Sequence, residues 1–141
     1  MSKFEGLWLK LREQDRNRAV IELYGWLRLD PQHLVDLQAS GGSYVLIFRD
    51  VDRFGSDAIH TSTPKYRGGT LFTKEILPID LSEVIQNLDL KRGDDLNEGN
   101  IDLKCNLLLV VGDATAGDPA NFPKVALGDT AHEIKVPQDV G

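Results

Sequence analysis

The residues best suited to chemistry in this sequence are aromatic residues near its beginning, and the chemistry that they suggest is binding. Trp8, Tyr24 and Trp26 alternate along the chain with charged residues, among them Arg28. Tryptophan, tyrosine and arginine are enriched at the energetic centres of protein interfaces. We therefore predict a protein-binding surface formed by Trp8, Tyr24, Trp26 and Arg28. The alternative is that a helix over residues 31–38 covers these aromatic side chains as a third layer.

Two groups of acidic residues suggest a second kind of site, one for Ca²⁺. The candidates are Asp50, Asp52, Asp94 and Asp95. Loops with several carboxylates can supply the roughly six to eight oxygen ligands that calcium takes. Neither group has EF-hand spacing, because Phe54 and Leu96 stand where oxygen donors should be. Solvated turn residues are therefore the alternative. Combined with an aromatic platform, these loops define a second hypothesis, a Ca²⁺-binding or carbohydrate-binding module.

Groupings of residues typical of enzymes and metal proteins are missing from the sequence. The histidines, far apart along the chain, are His33, His60 and His132. A nucleophile such as Ser43 can be drawn with His60 and Asp57, but no nucleophile elbow supports that arrangement. Cys105 lies in an apolar run with no histidine near it, whereas a mononuclear copper site needs histidine and cysteine together. We predict that the chain is not an enzyme and holds no cofactor.

One glycine-containing loop carries two cations. Lys65 and Arg67 stand next to Gly68 and could contact an anion. The loop lacks both the Lys-Ser/Thr ending and the strand-to-helix context of a phosphate-binding loop. A flexible surface loop explains the two cations equally well.

The composition favours one acidic cytoplasmic domain, a β-sandwich over residues 1–141. The 141 residues include 16 basic and 22 acidic side chains, a net charge of −6. That charge argues against nucleic acid, because binding to phosphates depends on lysine and arginine. No apolar run approaches the roughly 20 residues of a membrane span, and the first residues do not form a secretory signal. A single cysteine cannot form an internal disulfide, which is consistent with the cytoplasm.

Apolar residues at every second position predict the strands that would hold the aromatic residues in place. Leucines alternate with Trp8, Lys10 and Arg12 over residues 7–12, and the alternation resumes over residues 19–29 after a polar stretch at 13–18. Alternation of this kind is typical of strands with one buried face, so we predict a β-hairpin. A long helix is the alternative, because Gly6 and Gly25 are the only local helix breakers.

The remaining elements follow from the same reasoning. The apolar alternation over residues 101–111 predicts a central strand with Cys105 facing inward, and residues 44–51 predict another. Asp30 and Pro31 predict the start of a short helix, and a capping-box pair at Asp80 and Glu83 predicts a second one. Further strands are predicted over residues 58–61 and 70–77, the latter ended by Pro78, and a last hairpin is predicted from 124–127 and 132–136. The predicted fold is mainly β, an antiparallel β-sandwich with two short helices in its connections.

Four stretches within residues 19–136 are similar to parts of a known domain. They are VIELY at 20–24, IDLSEVI at 79–85, residues 100–111, and the segment from VALGD at 125–129 to Val136. Their order resembles that of the C-terminal β-sandwich domain attached to type 3 copper oxidases, namely tyrosinases, plant polyphenol oxidases and molluscan haemocyanins. The resemblance implies a shielding or partner-contacting module. It does not imply the oxidase, whose copper pair requires more histidines than the three present here.

These observations lead to a functional hypothesis. We predict a non-enzymatic module that acts by protein–protein interaction, as an accessory or assembly subunit that binds a partner or a second copy of itself. A Ca²⁺-binding or carbohydrate-binding domain is one alternative. A small acidic inhibitor or immunity protein, which the net charge of −6 also suits, is the other.

Overall fold

The computed structural model describes residues 2–15, 18–50, 60–81, 84, 100–130 and 132–137. Its strands are β1 (Lys3–Asp15), β2 (Arg18–Arg28), β3 (Gly42–Asp50), β4 (His60–Ser62), β5 (Phe72–Asp80), β6 (Asn100–Val111), β7 (Lys124–Asp129) and β8 (Ile134–Pro137), and the α-helix α1 spans Pro31–Ser40. They form two antiparallel sheets, one ordered β1-β2-β5 and the other β4-β3-β6, with β7 and β8 beyond β6. The predicted mainly-β fold is confirmed.

The first sheet contains the predicted hairpin, so the long-helix alternative is wrong. Strands β1 and β2 pair over nearly their whole length. They extend through most of the polar stretch that was predicted as the turn, since Glu13 pairs with Ala19 and Asp15 with Arg18. Backbone pairing between neighbouring strands therefore outweighs the polarity of these residues.

A β-bulge in β1 sets which side chains face outward. The register between β1 and β2 shifts between Glu5 and Trp8. Gly6 lies at the shift with φ of 62°, in the left-handed region that glycine adopts without strain. As a result Leu7 is buried, while Trp8 lies opposite Tyr24 on the outer face.

Strand β6 is the centre of the second sheet, as predicted. It pairs with β3 on one side and with both β7 and β8 on the other. The inward positions Leu103, Cys105, Leu107 and Leu109 are buried. The strand predicted over residues 44–51 is β3, and β4 covers part of the strand predicted at 58–61.

The predicted last hairpin is wrong, because β7 and β8 do not pair with each other. They lie one after the other along the same edge of β6. The link between them is held to β6 by Thr130, whose amide donates to the Cys105 carbonyl oxygen at 3.0 Å. The Thr130 hydroxyl accepts from the Cys105 amide at 3.1 Å.

Pro78 does not end β5, contrary to the prediction. The strand continues to Asp80, and Pro78 pairs with Glu22 of β2. Strand β5 is an edge strand of its sheet, where a residue without an amide donor is tolerated.

The helix predicted after Asp30 is confirmed as α1, which buries Leu37. The second predicted helix, over residues 80–88, lies mostly outside the described residues; Leu81 and Val84, which are described, are helical and buried.

Apolar side chains from the two sheets meet between them as a core. The largest fully buried side chains include Ile21, Leu23, Leu27, Tyr44, Leu46, Phe48, Leu81, Leu103, Leu107 and Leu109. Each such burial stabilises the fold by about 1.5–3 kcal/mol. On the outer side of the second sheet, Ala114 and Phe122 pack over Val45 and Val110. That outer side is therefore covered at least in part by the chain that follows β6.

Candidate functional site

The outer side of the first sheet carries the aromatic residues that the sequence singled out. Rows across β1, β2 and β5 place Trp8 beside Tyr24 and Ile76, and the next row places Trp26 beside Lys74. Phe72 lies one row further, beside Arg28. We call the contiguous set Trp8, Tyr24, Trp26, Phe72 and Ile76 the aromatic face.

Trp8 and Tyr24 are stacked on each other. Their ring centroids are 5.6 Å apart and their planes are 6° from parallel. The Tyr24 hydroxyl donates to Glu22 Oε2 at 3.1 Å, which fixes the direction of the ring. Burial, together with the Glu22 carboxylate, raises the pKa of Tyr24. The pair is therefore positioned by contacts within the sheet.

Trp26 and Phe72 form a second aromatic pair that is bordered by cations. Their centroids are 5.6 Å apart at an angle of 42°. Lys74 Nζ lies 5.8 Å from the Trp26 ring centroid, and the Arg28 guanidinium lies 5.9 Å from that of Phe72. Both distances are within the range of cation–π attraction. Arg28, predicted as an interface residue, therefore adjoins the aromatic face.

The aromatic face is open to solvent. Trp8 and Trp26 are each 40% exposed, Phe72 48% and Ile76 45%. With side chains of about 200 Å² each, these four expose on the order of 350 Å². That is the size of the largest apolar patch on a typical monomer, which is often functional. Helix α1 does not bury the two tryptophans, so the alternative of a covering third layer is wrong.

Charged side chains surround the aromatic face, and cations outnumber anions among those that the structure describes. The cations are Lys3, Lys10, Arg12, Arg28 and Lys74, and the anions are Glu5, Glu22 and Asp80. Glu5 lies 3.4 Å from both Lys3 and Arg28, and Glu22 lies 3.3 Å from Arg12. The surface is therefore positively charged on a chain whose net charge is −6.

The predicted calcium ligands are not brought together in the described part of the chain. Asp50 is the last residue of β3. Asp52, Asp94 and Asp95 lie outside the described residues. Within the ranges that are described, no three or more His, Cys, Asp or Glu residues form a group able to hold a metal ion.

The serine, histidine and cysteine side chains that could serve in catalysis make contacts that stabilise the fold. The Ser43 hydroxyl donates to the Gly112 carbonyl oxygen at 2.8 Å and accepts from the Ala114 amide at 3.0 Å. His33 Nδ1 lies 2.7 Å from Ser2 Oγ. Cys105 is buried, and burial raises the pKa of its thiol to about 12. Ser43 therefore holds residues 112–114 in place, and Cys105 is a core residue.

Phe72, Lys74 and Ile76 belong to this surface, although they were not among the predicted interface residues. Their signal was the alternation within residues 72–77, where they occupy every second position. Which side of the strand faces outward became clear only from its pairing with β2, about fifty residues earlier in the chain.

Comparisons with protein-family models, curated proteins and solved structures find no match to this chain. The resemblance to the C-terminal domain of type 3 copper oxidases therefore stays a prediction. No helix in the described ranges is long and apolar enough to cross a membrane.

Proposed function

We propose that this chain is a non-enzymatic protein-binding module that uses the aromatic face to bind an acidic surface of a partner protein, as an accessory or assembly subunit. The observation that carries the proposal is a contiguous set of exposed aromatic side chains, ringed by cations, on the open side of a sheet. The outer side of the other sheet has its own covering in Ala114 and Phe122.

The arrangement favours binding because its side chains are ordered before a partner arrives. Trp8 is stacked on Tyr24, whose hydroxyl is bonded to Glu22. Trp26 is held between Phe72 and Lys74. Association normally costs about 0.5–1.5 kcal/mol for each flexible side chain that it orders. Rings already held in place reduce that cost.

The charge of the surface indicates the kind of partner. Glu5 and Glu22 are paired with cations of the same sheet, which leaves the surface with an excess of positive charge. Two copies joined face to face would bring like charges together, which disfavours a symmetric dimer. A basic partner, as expected for an inhibitor of the immunity type, is disfavoured for the same reason. An acidic partner complements the ring of cations.

The stacking also favours a protein over a carbohydrate. Sugars bind open ring faces, whereas Trp8 and Tyr24 partly cover each other and Lys74 lies over Trp26. The exposed ring edges and remaining faces suit the mixed apolar and polar contacts of a protein interface.

The proposal is tested with Trp26→Ala and a matched control, Leu127→Ala. Leu127 is 72% exposed on β7, outside the aromatic face. Proteins captured from the native source by the wild-type chain are identified, and their affinity for each variant is measured by titration. We expect Trp26→Ala to weaken binding by about 30-fold or more, equivalent to about 2 kcal/mol for a central interface residue.

The control separates binding from folding. Leu127→Ala should bind like the wild type, and the free energy of unfolding of Trp26→Ala should stay within about 2 kcal/mol of wild type. Unchanged affinity of Trp26→Ala, or equal loss in Leu127→Ala, would remove the aromatic face as the binding surface. If Trp26→Ala unfolds, the charge reversal Lys74→Glu tests the same face through its cations and should weaken binding to an acidic partner.

A further inference from the structure

A carboxylate lies on the inner side of the first sheet, among mostly apolar positions. The inward positions of β5 are Thr73, Glu75, Leu77 and Ile79, and only Glu75 among them is charged. Its cross-strand neighbour on β2 is Gly25, which contributes no side chain at that row. Burial raises the pKa of Glu75, opposed by contacts with Tyr44 and Thr73. The fold therefore places an ionisable group on the inner side of the sheet.

Two tyrosines lie on the side of the interior that Glu75 faces. The rings of Tyr44 and Tyr66 are 5.9 Å apart at an angle of 68°. Neither hydroxyl has a well-formed hydrogen bond to the described residues, although Glu75 is close enough to raise the pKa of Tyr44 in addition to the effect of burial. Burial raises the pKa of Tyr66 to about 12. Buried polar groups normally have partners, because leaving one without costs about 1–3 kcal/mol.

Glu75 opens into a cleft with cations on its other wall. The cleft has a volume of about 510 Å³, between residues 64–67 and residues 75–78 of β5, and Lys65 and Arg67 line it. The wall formed by residues 64–67 is fixed to β3 by two backbone hydrogen bonds. The Tyr44 amide donates to the Pro64 carbonyl oxygen at 2.8 Å, and the Tyr66 amide donates to that of Gly42 at 2.9 Å. The cleft is therefore preformed, in the size range of small-molecule sites.

The charges in the cleft restrict what can occupy it. Lys65 Nζ lies 3.7 Å from Asp113 Oδ2, which leaves Arg67 as the cation for a ligand in the cleft. A simple anion attracted by Arg67 would meet the Glu75 carboxylate. A simple cation attracted by Glu75 would meet the Arg67 guanidinium. A ligand that carries both charges satisfies both walls, and hydrogen bonds between ionised groups are about twice as strong as neutral ones.

We propose that this cleft binds a small zwitterion of the amino-acid class, with its ammonium group on Glu75 and its carboxylate on Arg67. Tyr44 and Tyr66 do not line the cleft, and Tyr44 contacts Glu75 from the interior. The cleft borders the aromatic face at Ile76, which lines both, but neither tryptophan lines it. A zwitterion site is thus an activity in addition to protein binding.

The test uses the twenty free amino acids and glycylglycine as probes, each at millimolar concentration. Binding is measured as a rise in Tm and by calorimetry with the wild-type chain. We expect at least one probe to bind, and its N-acetyl derivative and its decarboxylated amine to fail, because each lacks one of the two charges. Absence of binding by every probe, or equal binding by either single-charge analogue, would overturn the proposal.

Variants locate the site. Glu75→Gln keeps the shape of the side chain and removes its charge, and Arg67→Ala removes an exposed cation. Each variant should bind the probe with an affinity at least tenfold lower than that of the wild type. Trp26→Ala should bind the probe like the wild type, so this result is independent of the fate of the aromatic face. Wild-type affinity in Glu75→Gln or in Arg67→Ala would contradict the proposed orientation of the ligand.

Discussion

Replacing Gly25 by alanine tests the packing that supports both proposed sites. Gly25 lies in β2 between Tyr24 and Trp26, opposite the bulge of β1 and beside Glu75. A Cβ at this position would lie 2.8 Å from Leu7 Cδ1, closer than carbon atoms approach in folded proteins. Leu7 cannot simply move away, because its other methyl, Cδ2, lies 3.0 Å from the position of a Cβ on Gly128 of β7. Leu7 therefore occupies a slot between two glycines.

The size of the destabilisation expected for Gly25→Ala follows from two opposing effects. Forcing an extra methyl group into a packed core costs about 1–3 kcal/mol. Removing a glycine from a strand returns about 0.5–1 kcal/mol, because the unfolded chain loses conformational freedom. We expect Gly25→Ala to lower the free energy of unfolding by about 1–2 kcal/mol.

Urea denaturation followed by circular dichroism measures this change, with Gly69→Ala as the control. A Cβ on Gly69 would meet no atom within 4 Å, so that variant should stay within about 0.5 kcal/mol of wild type. In a Leu7→Ala background, the further change Gly25→Ala should leave the free energy of unfolding nearly unchanged, since the methyl group that would collide is gone. Equal or greater stability of Gly25→Ala in the wild-type background would refute the packing of Leu7 described above.

Two further predictions concern ionisable groups in the interior. Burial raises the pKa of Glu75 in the folded state above that of a solvated glutamate, about 4.3. The contribution of Glu75 to the free energy of unfolding is therefore most favourable below about pH 4.3 and is lost as the pH rises through the folded-state pKa. Glu75→Gln should therefore be more stable than wild type at pH 7, with a difference that shrinks below about pH 4.3 in urea titrations; a constant difference would contradict this. Burial raises the pKa of the Cys105 thiol to about 12, so iodoacetamide at pH 8 should leave Cys105 unmodified in the native chain and label it fully in denaturant; rapid labelling of the native chain would show that the thiol is accessible.

The sequence was most informative where one strand carries its own pattern. Alternating apolar residues predicted β1, β2 and β6, because a strand between a core and solvent must repeat every second residue. The same alternation placed Trp8, Tyr24 and Trp26 on one side of the hairpin.

Features that depend on distant pairing could not be predicted. Phe72 and Ile76 join the aromatic face only because β5 pairs with β2, and Pro78 stays within a strand because β5 is at an edge. Residues 124–127 and 132–136 looked like a hairpin, since a Gly-Asp pair lies between them, but that pair belongs to β7, and β7 and β8 both pair with β6 instead. The inward position of Glu75 also depends on this register, and a charged residue gives no local signal that it faces a core.

The most direct test of the aromatic face uses the tryptophans themselves. Trp8 and Trp26 are the only two in the chain, and both lie on that face. The chain is labelled with fluorotryptophan and its two fluorine NMR signals are followed as the unlabelled captured partner is added. We predict that both signals shift and become protected from a soluble paramagnetic probe at saturation. Two unshifted, equally accessible signals in the saturated complex would show that the partner binds elsewhere.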